Sequence, residues 1–569
     1  MNWSFDSKQP QAWLDVAFHY LERGKGRFLD NAMADKQAQL QPARAVEAAP
    51  VVYILPPNRE VAEVAREMLE RGNGRVLEDE MLDRQARLQS GRASETAPRI
   101  YVLPTYRKPM EMARELPSGT AVLEYSVGEK EAWLLLMTHA GITGHRLVAD
   151  VAALPELRPR QQATLAQLLE AFKERPDKLG LEGWVRLARS RAEDLGKPER
   201  ERHGLVNFTL EQAILERLGG IVLPQSAQAE LKRQGIHHLL VVPDGPLHYL
   251  PLAMVRLKGA TNSTYLIEQY AVSSVSALTT LEAIRKQKVE REQKRKGPGK
   301  ELLAFANPDF GAGPVVKASD DMVTRVRSVR NDYYVSKGLK LTALPETEQE
   351  AIRVASLFGS PQEYKSPTAD GPEGLVAVYV DRGASELQVK RLFGGLPANS
   401  TLSAQPSTRC RYLLFGTHGL ADERNGMLSC LALAAPAADS EEDGFLQAQE
   451  VLSLRLDTDL VMLSACQTGL GQMHGGEGLV GLSASFFVAG AESVCASLWQ
   501  VPSGPTTQLS TEFFRHLKEG KLDRAEALRQ AQLTVLRHGR SLDGAPADYS
   551  SPFCWAAFVL MGEYNQEGR

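Results

Sequence analysis

Two short runs, Tyr412-Leu-Leu-Phe415 and Leu460-Val-Met-Leu463, carry no charged residue, and each stops in small residues. Without polar alternation, such a run fits a strand covered on both faces. Further β-prone runs read Leu302–Asn307, Val376–Val380, Ser493–Trp499 and Ala556–Met561. Helical patterns separate them, at Glu348–Phe358, Ser385–Leu392, Leu479–Ala489, Thr507–Glu519 and Arg524–Arg537. Alternation of this kind predicts an α/β fold with a mainly parallel sheet flanked by helices. Active sites in such folds sit beyond the carboxyl ends of strands.

Each of the two runs leads into residues that can carry chemistry. The first continues into Gly416-Thr-His-Gly419 and the second into Ser464-Ala-Cys-Gln-Thr-Gly469, so His418 and Cys466 stand 48 positions apart. If the runs are neighbouring parallel strands, thiol and imidazole emerge side by side. The arrangement resembles that of caspases, whose histidine lies about 50 residues upstream of the nucleophilic cysteine. Thiol catalysis needs a nucleophile, a proton carrier and donors for the developing oxyanion. Cys466 is the candidate nucleophile; a free thiol near pKa 8.5 is only a few per cent ionised at neutral pH, so it needs a partner. His418 supplies that partner and can then protonate the leaving amine. The backbone N–H groups of Gly419 and Cys466 are candidates for the oxyanion hole. Alone, the cysteine reads as a small core residue; the pairing at two strand ends is what points to catalysis.

Other candidates read differently. Cys495 and Cys554 look like core positions, and Cys410 and Cys430 have no partner signal. His474, eight residues from Cys466 in a glycine-rich stretch, is a rival base. That stretch lacks the lysine and spacing of a phosphate loop. No metal site and no cofactor signature are expected.

The chain of 569 residues is long enough for about three or four domains. A net charge of −4 offers no electrostatic case for nucleic acid or anionic lipid. Five cysteines without metal-ligand spacing suggest free thiols in a reducing compartment. No apolar run reaches the roughly 18 residues a bilayer requires, and no secretory signal is legible; a cytoplasmic location is expected. Near the N-terminus, Tyr20–Pro57 and Met68–Thr105 share 21 of 38 positions, a tandem duplication of a helix and a β-prone segment. Thr120–Val127 and Ala132–Thr138 read as a hairpin, and His238–Val242 as a buried strand that stops at Pro243-Asp-Gly245. Lys286–Lys300 is strongly charged and reads as a linker, either a solvated loop or a helix end.

From about Leu239 onward the chain resembles the CHAT family, caspase-like proteins related to separases. The matching stretches are Val242-Pro-Asp-Gly245, Phe415-Gly-Thr-His-Gly419, Leu463-Ser-Ala-Cys-Gln-Thr-Gly469, Gly475-Gly-Glu-Gly-Leu-Val480, Ala496-Ser-Leu-Trp499 and Trp555-Ala-Ala-Phe-Val559. The resemblance implies a Cys-His endopeptidase whose active half is packed against an earlier pseudo-catalytic half, with His418 and Cys466 at the catalytic positions. The expected organisation is a duplicated module at 1–110, a pseudo-protease α/β half at 111–285, a charged linker at 286–300 and a caspase-like catalytic half at 301–569. Related separases hold a basic P1 side chain with an acidic residue after the Ser-Leu-Trp strand; here Val501-Pro-Ser-Gly504 stands instead. Asp422, Glu477, Val501 and Ser503 are the substrate-binding candidates.

The expected function is limited, regulated cleavage of a protein substrate, with a regulatory protein as a further partner and neither nucleic acid nor membrane involved. The alternatives are a catalytically silent caspase-like scaffold that binds protein partners, and acyl transfer through a thioester on the same dyad.

Overall fold

A computed structural model of the chain describes residues 109–128, 131–147, 164–195, 208–259, 262–294, 299–311, 341–366, 374–395, 408–420, 428–436, 442–464, 466–467 and 477–565. The duplicated segment, His474 and Asp422 lie outside the described residues.

The first half contributes β1 (Thr120–Val127), β2 (Ala132–Thr138), β3 (Gly141–Leu147), β4 (His238–Val242), the ribbon β5 (Arg256–Lys258) and β6 (Ser263–Tyr265), and β7 (Ala271–Ser274). The second contributes β8 (Lys300–Pro308), β9 (Gln362–Tyr364), β10 (Val376–Asp381), β11 (Cys410–Gly416), β12 (His418–Leu420), β13 (Cys430–Ala432), β14 (Phe445–Gln447), β15 (Thr458–Leu463), β16 (Cys466–Gln467), β17 (Ala491–Ser497) and β18 (Phe558–Gly562). Twelve strands form one sheet in the order β3-β2-β1-β4-β7-β18-β17-β15-β11-β8-β10-β9. Its antiparallel pairs are β3–β2, β2–β1 and β18–β17; the other neighbours run parallel. The expected mainly parallel sheet is therefore present.

The antiparallel step at β17–β18 sets the direction of everything beyond it. β1, β4 and β7 run with β18, whereas β8, β11 and β15 run with β17. The carboxyl ends of β4 and β7 thus lie at the opposite sheet edge from those of β11 and β15. The two halves meet edge to edge, with Met561 of β18 opposite Ser274 of β7.

Side chains alternate across the second half of the sheet, as the period of a strand demands. Leu303, Phe305, Leu413, Phe415, Val461 and Leu463 enter one buried cluster, and Leu302, Ala304, Tyr412, Leu414, Leu460 and Met462 enter the other. Each of the leucine, valine, methionine and phenylalanine side chains among them contributes about 1.5–3 kcal/mol by leaving water. Among the helices that form the layers are α1 (Leu278–Lys294), α2 (Pro345–Ser356), α3 (Glu386–Phe393), α4 (Glu477–Ala489) and α5 (Ser503–Glu519). Val389, Leu392 and Phe486 from α3 and α4 pack on the first face, and Val354, Leu509 and Phe513 from α2 and α5 on the second.

The charged segment begins as a helix end. Helix α1 runs through its first part to Lys294. Its charges have partners in the second half: Lys288 lies 3.3 Å from Glu492, and Arg285 Nε donates to Glu563 Oε2 at 2.5 Å. Glu492 is buried and also accepts from Arg524 at 2.9 Å. Long cationic side chains reaching a buried carboxylate keep the backbone helical although the sequence shows no apolar face.

Candidate active site

Both chemistry-bearing strands leave the large sheet at a short hinge. β11 ends at Gly416, Thr417 turns the chain, and β12 starts at His418; β15 ends at Leu463, and β16 starts at Cys466. The two short strands enter a second sheet of order β14-β13-β12-β16. β11 and β15 are neighbouring parallel strands, with Tyr412 opposite Leu460 and Phe415 opposite Leu463. Beyond the hinges, His418 stands opposite Cys466 and Gly419 opposite Gln467, again in a parallel pair. Adjacent strands lie about 4.8 Å apart, so the backbones carrying the imidazole and the thiol are immediate neighbours.

Four contacts shape the histidine's side of the hinge. Thr417 Oγ1 donates to the Ala432 carbonyl, which ties the turn to β13. A Cβ on Gly416 would fall 2.8 Å from Thr347 Cβ, so the strand end and α2 approach at a distance only glycine permits. His418 is largely buried, with the Phe310 ring centroid 5.3 Å from its own. Its Nε2 lies 2.9 Å from the Thr342 carbonyl oxygen. A carbonyl only accepts, so Nε2 carries the proton and Nδ1 is the acceptor in the neutral ring. Burial pulls the imidazole below its ordinary pKa, and the bond to Thr342 partly opposes that pull.

The residues that follow Thr342 are held from the end of β8. Asn307 Oδ1 accepts from the Leu344 amide at 3.0 Å, its Nδ2 donates to Glu348 at 2.8 Å, and its amide donates to Thr347 Oγ1 at 3.0 Å. Asn307 adopts φ +43°, in the left-handed region that asparagine tolerates better than most residues.

On the cysteine's side, Ser464 Oγ donates to Glu350 Oε2 at 2.9 Å, and Ser510 Oγ on α5 donates to Glu350 Oε1 at 2.5 Å. Burial pushes the Glu350 carboxyl up to about 7, against the two hydroxyl bonds, which act downward. Residue patterns alone did not point to Thr342, Asn307 or Glu350. Thr342 acts through its backbone and has no side-chain signature. Glu350 had a usable signal: it shares the helix face of Ala351, Val354 and Ala355, all buried.

The remaining candidates scatter. Gly419 lies mid-strand in β12, between Leu431 on β13 and Gln467 on β16. Glu477 opens α4. Val501 does not line an open pocket: it is 5% exposed and belongs to the larger core, because an apolar side chain between β17 and α5 gains most by packing beneath them. Ser503 begins α5 and keeps partial exposure. Cys410, Cys430 and Cys495 are buried; desolvation pushes Cys410 up to about 12 and raises Cys495 as well. Cys554 is half-buried and also pushed up to about 12. For Cys410, Cys495 and Cys554, burial thus disfavours the thiolate.

One acidic cluster has metal-ligand geometry. Carboxylate oxygens of Glu386, Glu442 and Glu450 lie within 4.8 Å of one another. Lys390 Nζ sits among them, 2.6 Å from Glu386, 2.5 Å from Glu442 and 3.1 Å from Glu450, so the cluster carries its own cation.

Residues 212–563 match the CHAT domain. The chain belongs to the CHAT family. The chain aligns with tetratricopeptide repeat protein 28 of Mus musculus at 25% identity and of Homo sapiens at 24%, each over 334 residues. These alignments cover 57% of this chain and 12% of either relative, so the chain spans a small part of their length. Among solved structures, the Saccharomyces cerevisiae separase–securin complex is similar at TM-score 0.35 and 11% identity, over 80% of this chain and 31% of that one. Gingipain R, an Arg-specific cysteine proteinase, is similar at TM-score 0.29 and 11% identity, over 70% of this chain and 76% of that one. Among the described residues of this CHAT protein, no helix is long and apolar enough to cross a membrane.

Proposed function

We propose that the chain is a cysteine endopeptidase in which Cys466 attacks a peptide carbonyl and His418 moves the proton. The observation that carries this reading is the register pairing of His418 with Cys466 on adjacent parallel strands. Two further features support it. The Thr342 carbonyl fixes the Nε2–H tautomer, which leaves Nδ1 to accept the thiol proton and later return it to the leaving amine. The depressed pKa of His418 keeps the ring neutral, hence basic, at neutral pH. In this reading the amides of Gly419 and Cys466 receive the oxyanion, and Ser503, Glu477 and Asp422 border the substrate. The partner is a protein substrate.

The test is cleavage of a peptide library by the wild type and by Cys466→Ala. Loss of about 10² or more in rate is expected on removing the nucleophile; equal cleavage by both would overturn the reading. A second reading, a silent scaffold that binds protein partners, draws support from Val501, whose side chain is committed to the core rather than to a pocket. Labelling of Cys466 by a thiol-reactive peptide at neutral pH, abolished by His418→Ala, rejects the scaffold.

A further inference from the structure

The two hinges are held by different chemistry. On the histidine's side, a hydroxyl (Thr417) is tied to a backbone carbonyl, a partner that cannot change its charge. On the cysteine's side, the hydroxyl of Ser464 is tied to Glu350, a carboxyl that is 2% exposed. Among the described residues, the hydrogen-bond partners of that carboxyl are the hydroxyls of Ser464 and Ser510, and no cation pairs with it. A buried carboxyl without a counter-ion costs stability that an apolar residue at the same place would not. Glu350 nonetheless occupies the apolar face of α2, directly under the residue on which the chain leaves β15.

Its neighbours on α2 reach the other strand ends. Glu348 accepts from Asn307 at the end of β8, and Thr347 abuts Gly416 at the end of β11. One helix therefore touches three consecutive strand ends, and two of the residues it meets, Gly416 and Ser464, lie two residues before His418 and Cys466. Through Ser510, Glu350 extends the same contact to α5.

We propose that Glu350 is a positioning residue for Cys466: by fixing Ser464 it sets the path from β15 into β16, and with it the register that brings Cys466 opposite His418. The consequence for catalysis rests on the peptidase reading. The geometric step does not, because it is read at Cys466 itself.

The experiment measures alkylation of Cys466 by iodoacetamide at pH 7.5 in the full chain, resolved by peptide mass spectrometry, together with kcat and KM for peptide cleavage and the thermal unfolding midpoint. The variants are Glu350→Leu, Glu350→Gln, Ser464→Ala and Ser510→Ala. Glu350→Leu is expected to slow alkylation about tenfold or more and Ser464→Ala about threefold or more, with kcat falling in step and KM within about twofold. Glu350→Gln keeps an oxygen for Ser464 and should recover to within about threefold of wild type. Ser510→Ala should lower the midpoint while changing alkylation less than Ser464→Ala does. Wild-type alkylation in Glu350→Leu and Ser464→Ala, with only the midpoint lowered, overturns the proposal. If Glu350→Leu does not fold, Ser464→Ala decides alone. Cleavage that requires Cys466 but ignores Ser464→Ala refutes the positioning role and leaves the peptidase reading intact. Alkylation that responds as expected in a chain that cleaves nothing does the reverse.

Discussion

His418 and Cys466 are register partners at an offset of 48 residues, the same offset that pairs Tyr412 with Leu460 in the large sheet. On each strand two residues therefore separate the last pair of the large sheet, Phe415 with Leu463, from the first pair of the small one, and register passes unchanged between the sheets. A one-residue slip between strands reverses which face every side chain takes. Insertion of one alanine between Leu463 and Ser464 should thus cut peptide cleavage about 10²-fold or more while leaving the far-ultraviolet circular dichroism unchanged. An inserted variant that keeps wild-type cleavage argues against the pairing as the source of activity.

The histidine should titrate low. Burial holds His418 below its ordinary 6.5, and the Thr342 bond acts upward. Proton acceptance by Nδ1 requires the neutral ring, so the acid limb of kcat/KM should lie below pH 6.5, with activity retained above it. Asn307→Ala releases the Leu344 amide and loosens the segment that presents Thr342. Weakening the upward contribution should move the acid limb lower still and reduce kcat. An acid limb above pH 6.5, or one that Asn307→Ala moves upward, contradicts this assignment.

The sheet was legible where burial dictates composition. Thr120–Val127, Ala132–Thr138 and His238–Val242 have in the structure the bounds their sequence implies, because each is a run whose side chains are mostly buried. Arg524–Arg537 was equally readable, with Asp523 accepting from the Glu526 amide as an N-cap. The expected strand Ser493–Trp499 is Ala491–Ser497, since apolar side chains continue past the last ladder bond. Ala271–Ser274 went unread because two of its four residues are serines. The small sheet was equally silent: strands of two or three residues have no period to detect. Strand direction at β18 escapes sequence too, because pairing across the seam sets it rather than residue type. Within the site, His418 and Cys466 stood out as side chains with chemistry, whereas Thr342 acts through its backbone carbonyl and Asn307 through contacts to a distant segment that no residue pattern announces.

Gly416 tests how tightly α2 sits on the strand ends. An added methyl would meet Thr347 Cβ at 2.8 Å and Ala306 Cβ at 3.4 Å, and both are backbone-anchored atoms. Gly416→Ala should cost about 1–3 kcal/mol through overpacking, seen as a lower urea midpoint, and should slow cleavage because the shift begins two residues before His418. An unchanged midpoint would show that α2 can yield at this contact.

Lys390 is the internal counter-ion of three carboxylates, and its ammonium is held charged by them against the effect of burial. Lys390→Ala removes the ammonium that the buried Glu386 and Glu442 face and should destabilise by about 3–5 kcal/mol. It also opens a three-carboxylate cluster of the kind hard divalent cations accept. Millimolar calcium should therefore raise the unfolding midpoint of Lys390→Ala and leave that of the wild type unmoved. A wild type that gains as much as the variant would show that calcium acts elsewhere.

Glu350 links stability to pH with a definite sign. Its carboxyl is pushed from the ordinary 4.5 up to about 7 in the folded chain. Below pH 4.5 the group is protonated in both states. Between 4.5 and about 7 the unfolded chain releases the proton while the folded chain retains it, so rising pH favours unfolding. Above about 7 both states are ionised and the loss is complete, amounting to about 3 kcal/mol. Glutamine cannot titrate and keeps the same shape. The unfolding midpoint of Glu350→Gln should consequently rise relative to wild type as the pH goes from 5 to 8, with most of the change below pH 7. A difference that stays flat across that range, or falls, would mean that Glu350 folds with its charge already satisfied, and that the two serine hydroxyls suffice to hold a carboxylate there.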